Sequence, residues 1–484
     1  MEGLAPHWGE FVAVGVIMVL YGVAMFDGYG IVDLINIVGP AAFAVVVALS
    51  TLRMTRLNIH AIWAPLFWYR VAMVTYLGIG STITSFFNAD TRDLIQSLFA
   101  FFPSDLLKFN LVNAMFHECA LITSWIVIQI YRGRSRARGS RILSIEGCRL
   151  SLKMVGLAFL GVGLATNYLL VYPAAVGILR IHVANAVTQV GQMAYVGYFL
   201  LSYWGLQNRN YRWIAAIIVL AAIDSIVGLL ELTKYAAIFP VLMIPIAYVY
   251  QRPTARRIAL SLAFLVPFYL FVSSVVYDAR ERVERDLSNG NAVLSDTVDV
   301  MGDIAAGRKT GNDGADYQLA WARLSYVNAG TLAISFHDQG LAGDTLRDIF
   351  IVWIPRVVFP DKPNITDISR EFTYMANGNY DSSTNPSMPS EGYWDYGWLG
   401  VALFATLFGA VLTLWSIYST IVFERGAWHL LLVVLLGMRT GVRVDGMLVP
   451  DVIGPLSAVL AIHIACQLAN RLLPRLPILQ RGLA

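Results

Sequence analysis

Charge is what this chain has least of. Only 14% of its 484 residues are Asp, Glu, Lys or Arg, against about 25% in ordinary soluble domains. That deficit excludes a water-soluble globule. The net charge of +3 is too small to argue for nucleic acid. Cysteine is nearly missing. Cys119 and Cys466 stand in apolar runs and Cys148 in an arginine-rich loop, so neither a disulfide nor a cysteine metal site is expected. There is no Gly-rich phosphate loop, no G-x-S-x-G elbow and no nucleotide fingerprint, which argues against a nucleotide-activated substrate. Internal repeats and low-complexity tracts are also absent. The start, Met1-Glu2-Gly3, has no basic region and no small-residue cleavage site, so the first apolar run reads as a retained helix.

What is present is apolar: 57% of the residues, in blocks of about 20, the length that crosses a hydrocarbon core. About twelve spanning candidates follow. They cover roughly 9–27, 31–51, 62–87, 109–131, 152–172 and 186–206, then 213–232, 235–251, 258–278, 397–422, 428–448 and 451–470. Arginine sets the orientation. Arg53 and Arg56 follow the second span, and Arg132, Arg134, Arg136, Arg138 and Arg141 the fourth. Arg209 and Arg212 follow the sixth, Arg252, Arg256 and Arg257 the eighth, and Arg471, Arg475 and Arg481 the last. If the helices alternate, all fall on one side, which the positive-inside rule makes cytoplasmic. Both termini are then expected in the cytoplasm, with the protein in the cell's inner membrane. The fold class expected is an all-α polytopic membrane protein. Residues 1–278 carry nine helices, 279–396 form one large extracytoplasmic loop, and 397–484 carry three helices and a tail.

A structureless loop that long is improbable, and its sequence suggests short helices. One starts amphipathically at Arg280, one covers Tyr317 to Phe336, and one runs from Thr345 to Trp353 along the membrane interface. Pro355, Pro360 and Pro363 end the last. Acids crowd the loop's first part, from Glu281 to Asp316. Arg347, Arg356, Lys362 and Arg370 stand in its later part among prolines and aromatics. Positioned cations in a net-acidic loop suit a specific anion, with arginine's fork matched to phosphate; ordinary surface ion pairs, such as Arg356 with Asp361, are the alternative. Glu391, ringed by Tyr393, Trp394 and Tyr396, is a candidate general base or a helix cap. His337-Asp338 is a second acid–base candidate, weakened because adjacent helical residues point apart.

Ionisable residues inside spans are costly and so are functional hypotheses. Those here are Arg70, His117, Glu118, Asp224, Arg439, Arg443 and Asp445, with Glu231 and Lys234 where the seventh and eighth spans meet, close enough to pair. Arg439 and Arg443 stand four apart on one helix face, where an ion pair joining helices is the alternative to a substrate contact. His117-Glu118 has no further ligands at metal spacing.

Pro355-Arg356, Phe359-Pro360-Asp361-Lys362-Pro363 and Pro389-Ser390-Glu391-Gly392-Tyr393, with Gly397 and Gly400 opening the next span, carry a resemblance. The chain resembles the Wzy-type O-antigen and exopolysaccharide repeat-unit polymerases, in these motifs and in its many helices with one large late loop. The resemblance implies a GT-C-like fold and a metal-independent glycosyltransferase without a cofactor. It would join oligosaccharide repeat units carried on undecaprenyl pyrophosphate, donor and acceptor alike, at the outer leaflet, with membrane lipids and a chain-length regulator as partners. It implies that Arg356, Lys362 and Lys234 meet the pyrophosphate, with Arg323, Arg439 and Arg443 behind them. Arg370 and Tyr393 join the substrate-binding set, Glu391 is the preferred base and His337 the reserve. The rivals are an O-antigen ligase of the same architecture, a GT-C transferase using a polyprenyl-phosphate sugar, and a lipid or glycan transporter. The first outer loop offers only Asp27 and Asp33 to the second rival, and no matched broken helices support the third.

Overall fold

The computed structural model describes residues 4–27, 29–86, 103–138, 145–175, 178–179, 183, 185–229, 231, 233–287, 302, 324–354, 359, 362–363, 367–380 and 383–472. Among these it is helical throughout, with no strand. Among the described residues, eight helices are long and apolar enough to cross a membrane. The other four expected spans are helical but interrupted. Within 62–86, α-helix, π-helix and α-helix follow in succession before a closing 3-10 turn, 186–206 breaks at Gln192, 235–251 carries Pro240 and Pro245, and 428–448 holds an α-helix of 12 residues.

The chain packs as two units: Met1–Glu146 with Trp321–Ala465, and Gly147–Ala320 with Cys466–Ala484. Packing thus cuts the chain differently from the linear division at 278 and 396.

In the first unit, α1 (Trp8–Asp27), α2 (Tyr29–Leu57), α3 (Pro65–Ala72) and α4 (Pro103–Arg138) are joined by a buried polar network. Arg70 pairs with Glu10 at 3.0 Å and donates to Ser50 at 2.9 Å. His117 Nε2 meets Glu10 at 3.2 Å and its Nδ1 meets the Tyr69 hydroxyl at 3.0 Å. Each charge is paired, as apolar surroundings require. The network answers the expectation for Arg70 and His117 with a structural weld.

The second unit holds α5 (Leu152–Thr166), α6 (Asn185–Gly191), α7 (Met193–Gln207), α8 (Tyr211–Leu229), α9 (Lys234–Gln251) and α10 (Ala255–Leu287). Ser151 caps α5 by accepting from the Met154 amide, and Thr233 caps α9 by accepting from the Ala236 amide. α5 continues through a π-helical stretch, Asn167–Val171, into one more turn, Tyr172–Ala175. It crosses α7 so closely that a Cβ on Gly163 would lie 2.1 Å from the Ala194 nitrogen, the small-residue packing that membrane helices use. The helix expected to begin at Arg280 is the continuation of α10.

The polar segment rejoins the first unit as α11 (Val327–Asp338) and α12 (Asp367–Asn377), followed by α13 (Met388–Glu424), α14 (Leu431–Val442) and α15 (Gly454–Leu472). The expected helix at Tyr317–Phe336 is α11, displaced toward its C-terminus; residues 317–323 lie outside the described residues. The stretch from Thr345 is a run of turns closed by a 3-10 turn at Ile351–Trp353. α11, α12 and the start of α13 share an apolar core of Ala333, Phe336, Ile368, Phe372, Trp394 and Met447.

Candidate functional site

Between α14 and α15 the helix stops inside an apolar run. A 3-10 turn, Arg443–Asp445, leads through extended Gly446 to a π-helical stretch, Val449–Ile453. Non-helical backbone at such a place is tolerated only where protein or a polar cavity satisfies it, and here side chains do so. The Asp451 carboxylate accepts from the Met447 amide at 3.0 Å and from Arg443 Nε at 3.1 Å. Glu391, in the first turn of α13, accepts from the Leu448 amide at 2.8 Å. The break therefore holds an arginine whose side chain is still 40% exposed.

Around Arg443 stand Asp445, 3.9 Å from its guanidinium, and Tyr326, whose hydroxyl donates to Asp445 Oδ2 at 2.9 Å. Asp445 Oδ1 is buried without a partner. Tyr326 precedes α11, and burial together with Asp445 holds its phenol well above the usual range, so it stays a donor. Its ring meets Tyr76 edge-on at 5.6 Å. Tyr76 lies in the π-helix Met73–Ile79. Two π-helical stretches thus flank one arginine, and such irregularities concentrate at functional sites.

The other end of α11, about 18 Å away for its 12 residues, holds a second polar group. His337 Nδ1 lies 2.9 Å from the Trp394 carbonyl, to which it donates, which leaves Nε2 facing Gly397. Asp338 accepts from the Tyr393 hydroxyl at 3.1 Å and pairs with Lys108, whose ammonium also lies over the Tyr393 ring. Behind them Asp395 accepts from the amide and hydroxyl of Thr345 at 3.1 and 2.7 Å. Glu391 and Asp395 are 0% and 4% exposed, and each keeps one oxygen without a partner.

Of the residues singled out by sequence, Glu391 and Arg443 stand at the break, with Arg439 in the last turn of α14 leading into it. His337 and Tyr393 meet at the far end of α11. Arg323, Arg356 and Asp361 lie outside the described residues. Lys362 donates to the Val352 and Ile354 carbonyls at 2.8 and 3.1 Å, so it holds the 3-10 turn. Arg370 stands 3.7 Å from Asp367, and Arg347 pairs with Glu371 at 2.6 Å, both on the surface. Lys234 belongs to the second unit and lies over Tyr269 at 5.5 Å. Lys108, Tyr326, Thr345, Asp395 and Asp451 were not found by sequence. The available signal was the acidic neighbours of flagged residues, Asp338 beside His337 and Asp445 beside Arg443. Among the described residues no group of three His, Cys, Asp or Glu side chains is arranged to hold a metal. No family profile, curated protein or solved structure matches the chain.

Proposed function

We propose that the protein is a membrane-embedded glycosyltransferase that extends glycans carried on undecaprenyl pyrophosphate, with the break between α14 and α15 as its reaction centre. The observation that carries this reading is Arg443, half-exposed yet held by Asp451 between two π-helical stretches. A fixed guanidinium is suited to the charge that develops on a departing pyrophosphate. Arg439, in the last turn of α14, adds a second cation close by in the chain.

In the reaction, the acceptor sugar's hydroxyl oxygen attacks the donor's anomeric carbon. The bond from that carbon to the pyrophosphate oxygen breaks, and the electron pair leaves with undecaprenyl pyrophosphate, which Arg443 stabilises. The hydroxyl proton passes to Asp445, whose side chain, unlike that of Glu391, keeps some exposed surface beside Arg443. Tyr326 holds the other Asp445 oxygen and so fixes the carboxylate. Glu391 is a positioning residue: fully buried, it holds the Leu448 amide and through it the break. His337, Lys108, Asp338 and Tyr393 form a polar and aromatic surface for the glycan further along α11. The finer architecture belongs to the same proposal: twelve spans, a GT-C-like arrangement, both termini cytoplasmic, the 279–396 segment outside and the inner membrane as location.

The test supplies purified protein in detergent with a synthetic undecaprenyl-pyrophosphate oligosaccharide and resolves products by length. The expected result is a ladder of longer lipid-linked chains that Arg443→Ala abolishes. Transfer only to an added lipid A core acceptor would replace the polymerase by the ligase. No transfer to either acceptor would overturn the reading.

A further inference from the structure

Asp224 lies in α8, in an apolar helix of the second unit, and is 0% exposed. Its Oδ1 accepts from the Tyr172 hydroxyl at 3.0 Å. The phenols of Tyr168 and Tyr198 face the same carboxylate, the Tyr198 hydroxyl also donating to the Leu220 carbonyl at 3.4 Å, while Oδ2 is buried without a hydrogen-bond partner. Tyr168 lies within the π-helical continuation of α5 and Tyr172 directly follows it, with ring centroids 5.2 Å apart. Tyr195 comes from α7, Glu231 from the connection after α8, and Tyr235 from α9, its ring 5.6 Å from Tyr195. The charged neighbour among these is Glu231, an acid. No lysine, arginine or histidine acts on Asp224 among the described residues.

A carboxylate desolvated in this way needs one positive charge to offset it. We propose that Asp224 and its tyrosine shell form a binding site for a single monovalent cation, either sodium or a proton, seated at Oδ2. One charge matches one carboxylate. A divalent ion would need several acidic oxygens, and no described cluster supplies them. The phenols address the carboxylate through their hydroxyls, which supply oxygen to a small ion, whereas an organic ammonium would require ring faces. Four residues apart, Tyr168 and Tyr172 share one side of this helical continuation of α5. An embedded acid of this kind marks an ion site in membrane proteins generally.

The experiment follows thermal unfolding of the full-length protein in detergent, in a Glu231→Gln background so that its titration drops out. Sodium chloride replaces choline chloride at constant ionic strength and about pH 8; a second series varies pH without sodium. If sodium is the ligand, the Tm rises with sodium by about 2–4 °C and Asp224→Asn abolishes the rise. If a proton is the ligand, sodium has no effect. The Tm then falls as pH rises, and Asp224→Asn removes that fall. Tyr172→Phe keeps the carboxylate and the ring, and is expected to shift the midpoint of whichever response occurs. Identical sodium and pH responses with Asp and Asn at 224, or an unshifted midpoint in Tyr172→Phe, would overturn the proposal. No step of it uses glycosyl transfer, so its failure is separate from that of the proposed activity.

Discussion

Glu391 and Asp445 are both carboxylates at the break, and their surroundings give them different tasks. Glu391 has no exposed surface and spends one oxygen on the Leu448 amide. A glutamine can accept that hydrogen bond, so Glu391→Gln is expected to retain at least about a tenth of the transfer rate. Glu391→Ala leaves a buried amide unpaired, costing about 1–3 kcal/mol, and is expected to lose both stability and activity. Product ladders and denaturant unfolding on the two variants separate a positioning role from a proton-accepting one; a dead but stable Gln variant would make Glu391 the base. Asp445→Asn keeps the acceptor for Tyr326 but cannot take a proton at neutral pH. Its rate is expected to fall by about 10²–10⁴ with little change in stability. Glu231 gives a pH prediction. Burial pushes its carboxyl up from 4.5 to about 7. The folded state then holds the proton more tightly than the unfolded chain, so the stability that Glu231 contributes is fully present below pH 4.5 and is lost as pH rises through about 7. Glu231→Gln cannot ionise. It is expected to match the wild type at low pH and to exceed it above pH 7 in thermal unfolding, the gap opening between the two values. A gap that stayed constant with pH would mean the carboxyl is solvated.

At the scale of elements, departures from regular helix locate the chemistry. α13 bends at Tyr396 and Gly397, where Gly397 has φ 59° and ψ −142°, a region that side chains scarcely enter. A Cβ there would also lie 3.0 Å from His337 Nε2. Gly397→Ala is expected to cost about 1–3 kcal/mol and to displace the imidazole. Under the proposed function it raises KM for the lipid-linked glycan more than it lowers kcat, which steady-state kinetics would show. The π-helical stretches at Met73–Ile79 and Val449–Ile453 could not be read from sequence. Their hydropathy is that of an ordinary span, and they meet partners far away in the chain, Tyr326 at the first and Glu391 beside the second. Two of the missed residues share this cause. Lys108 meets a partner 230 positions away and Tyr326 one 119 positions away, and no local pattern encodes such separations.

At the scale of the whole molecule, the arginine-rich loops make the orientation testable. In intact cells, cysteines placed at Ser140 and Gln207 are expected to resist a membrane-impermeant thiol reagent, and one at Asn312 to react; the reverse pattern would invert the topology. By itself the sequence determined that this is a helical membrane protein, because too little charge and blocks of apolar residues leave a bilayer as the solvent that fits. It also flagged Arg443, Asp445 and Asp224, since an ionisable group in an apolar run is costly enough to need a reason. The tertiary structure decided which of these stand together. It set Arg70 and His117 into a paired weld with Glu10, turned Lys362 onto backbone carbonyls, and brought Glu391 to Leu448 across 57 positions. Hydropathy is a property of each segment taken alone. Pairing a buried charge or an orphaned amide depends on which helices become neighbours, and only the packed chain contains that information.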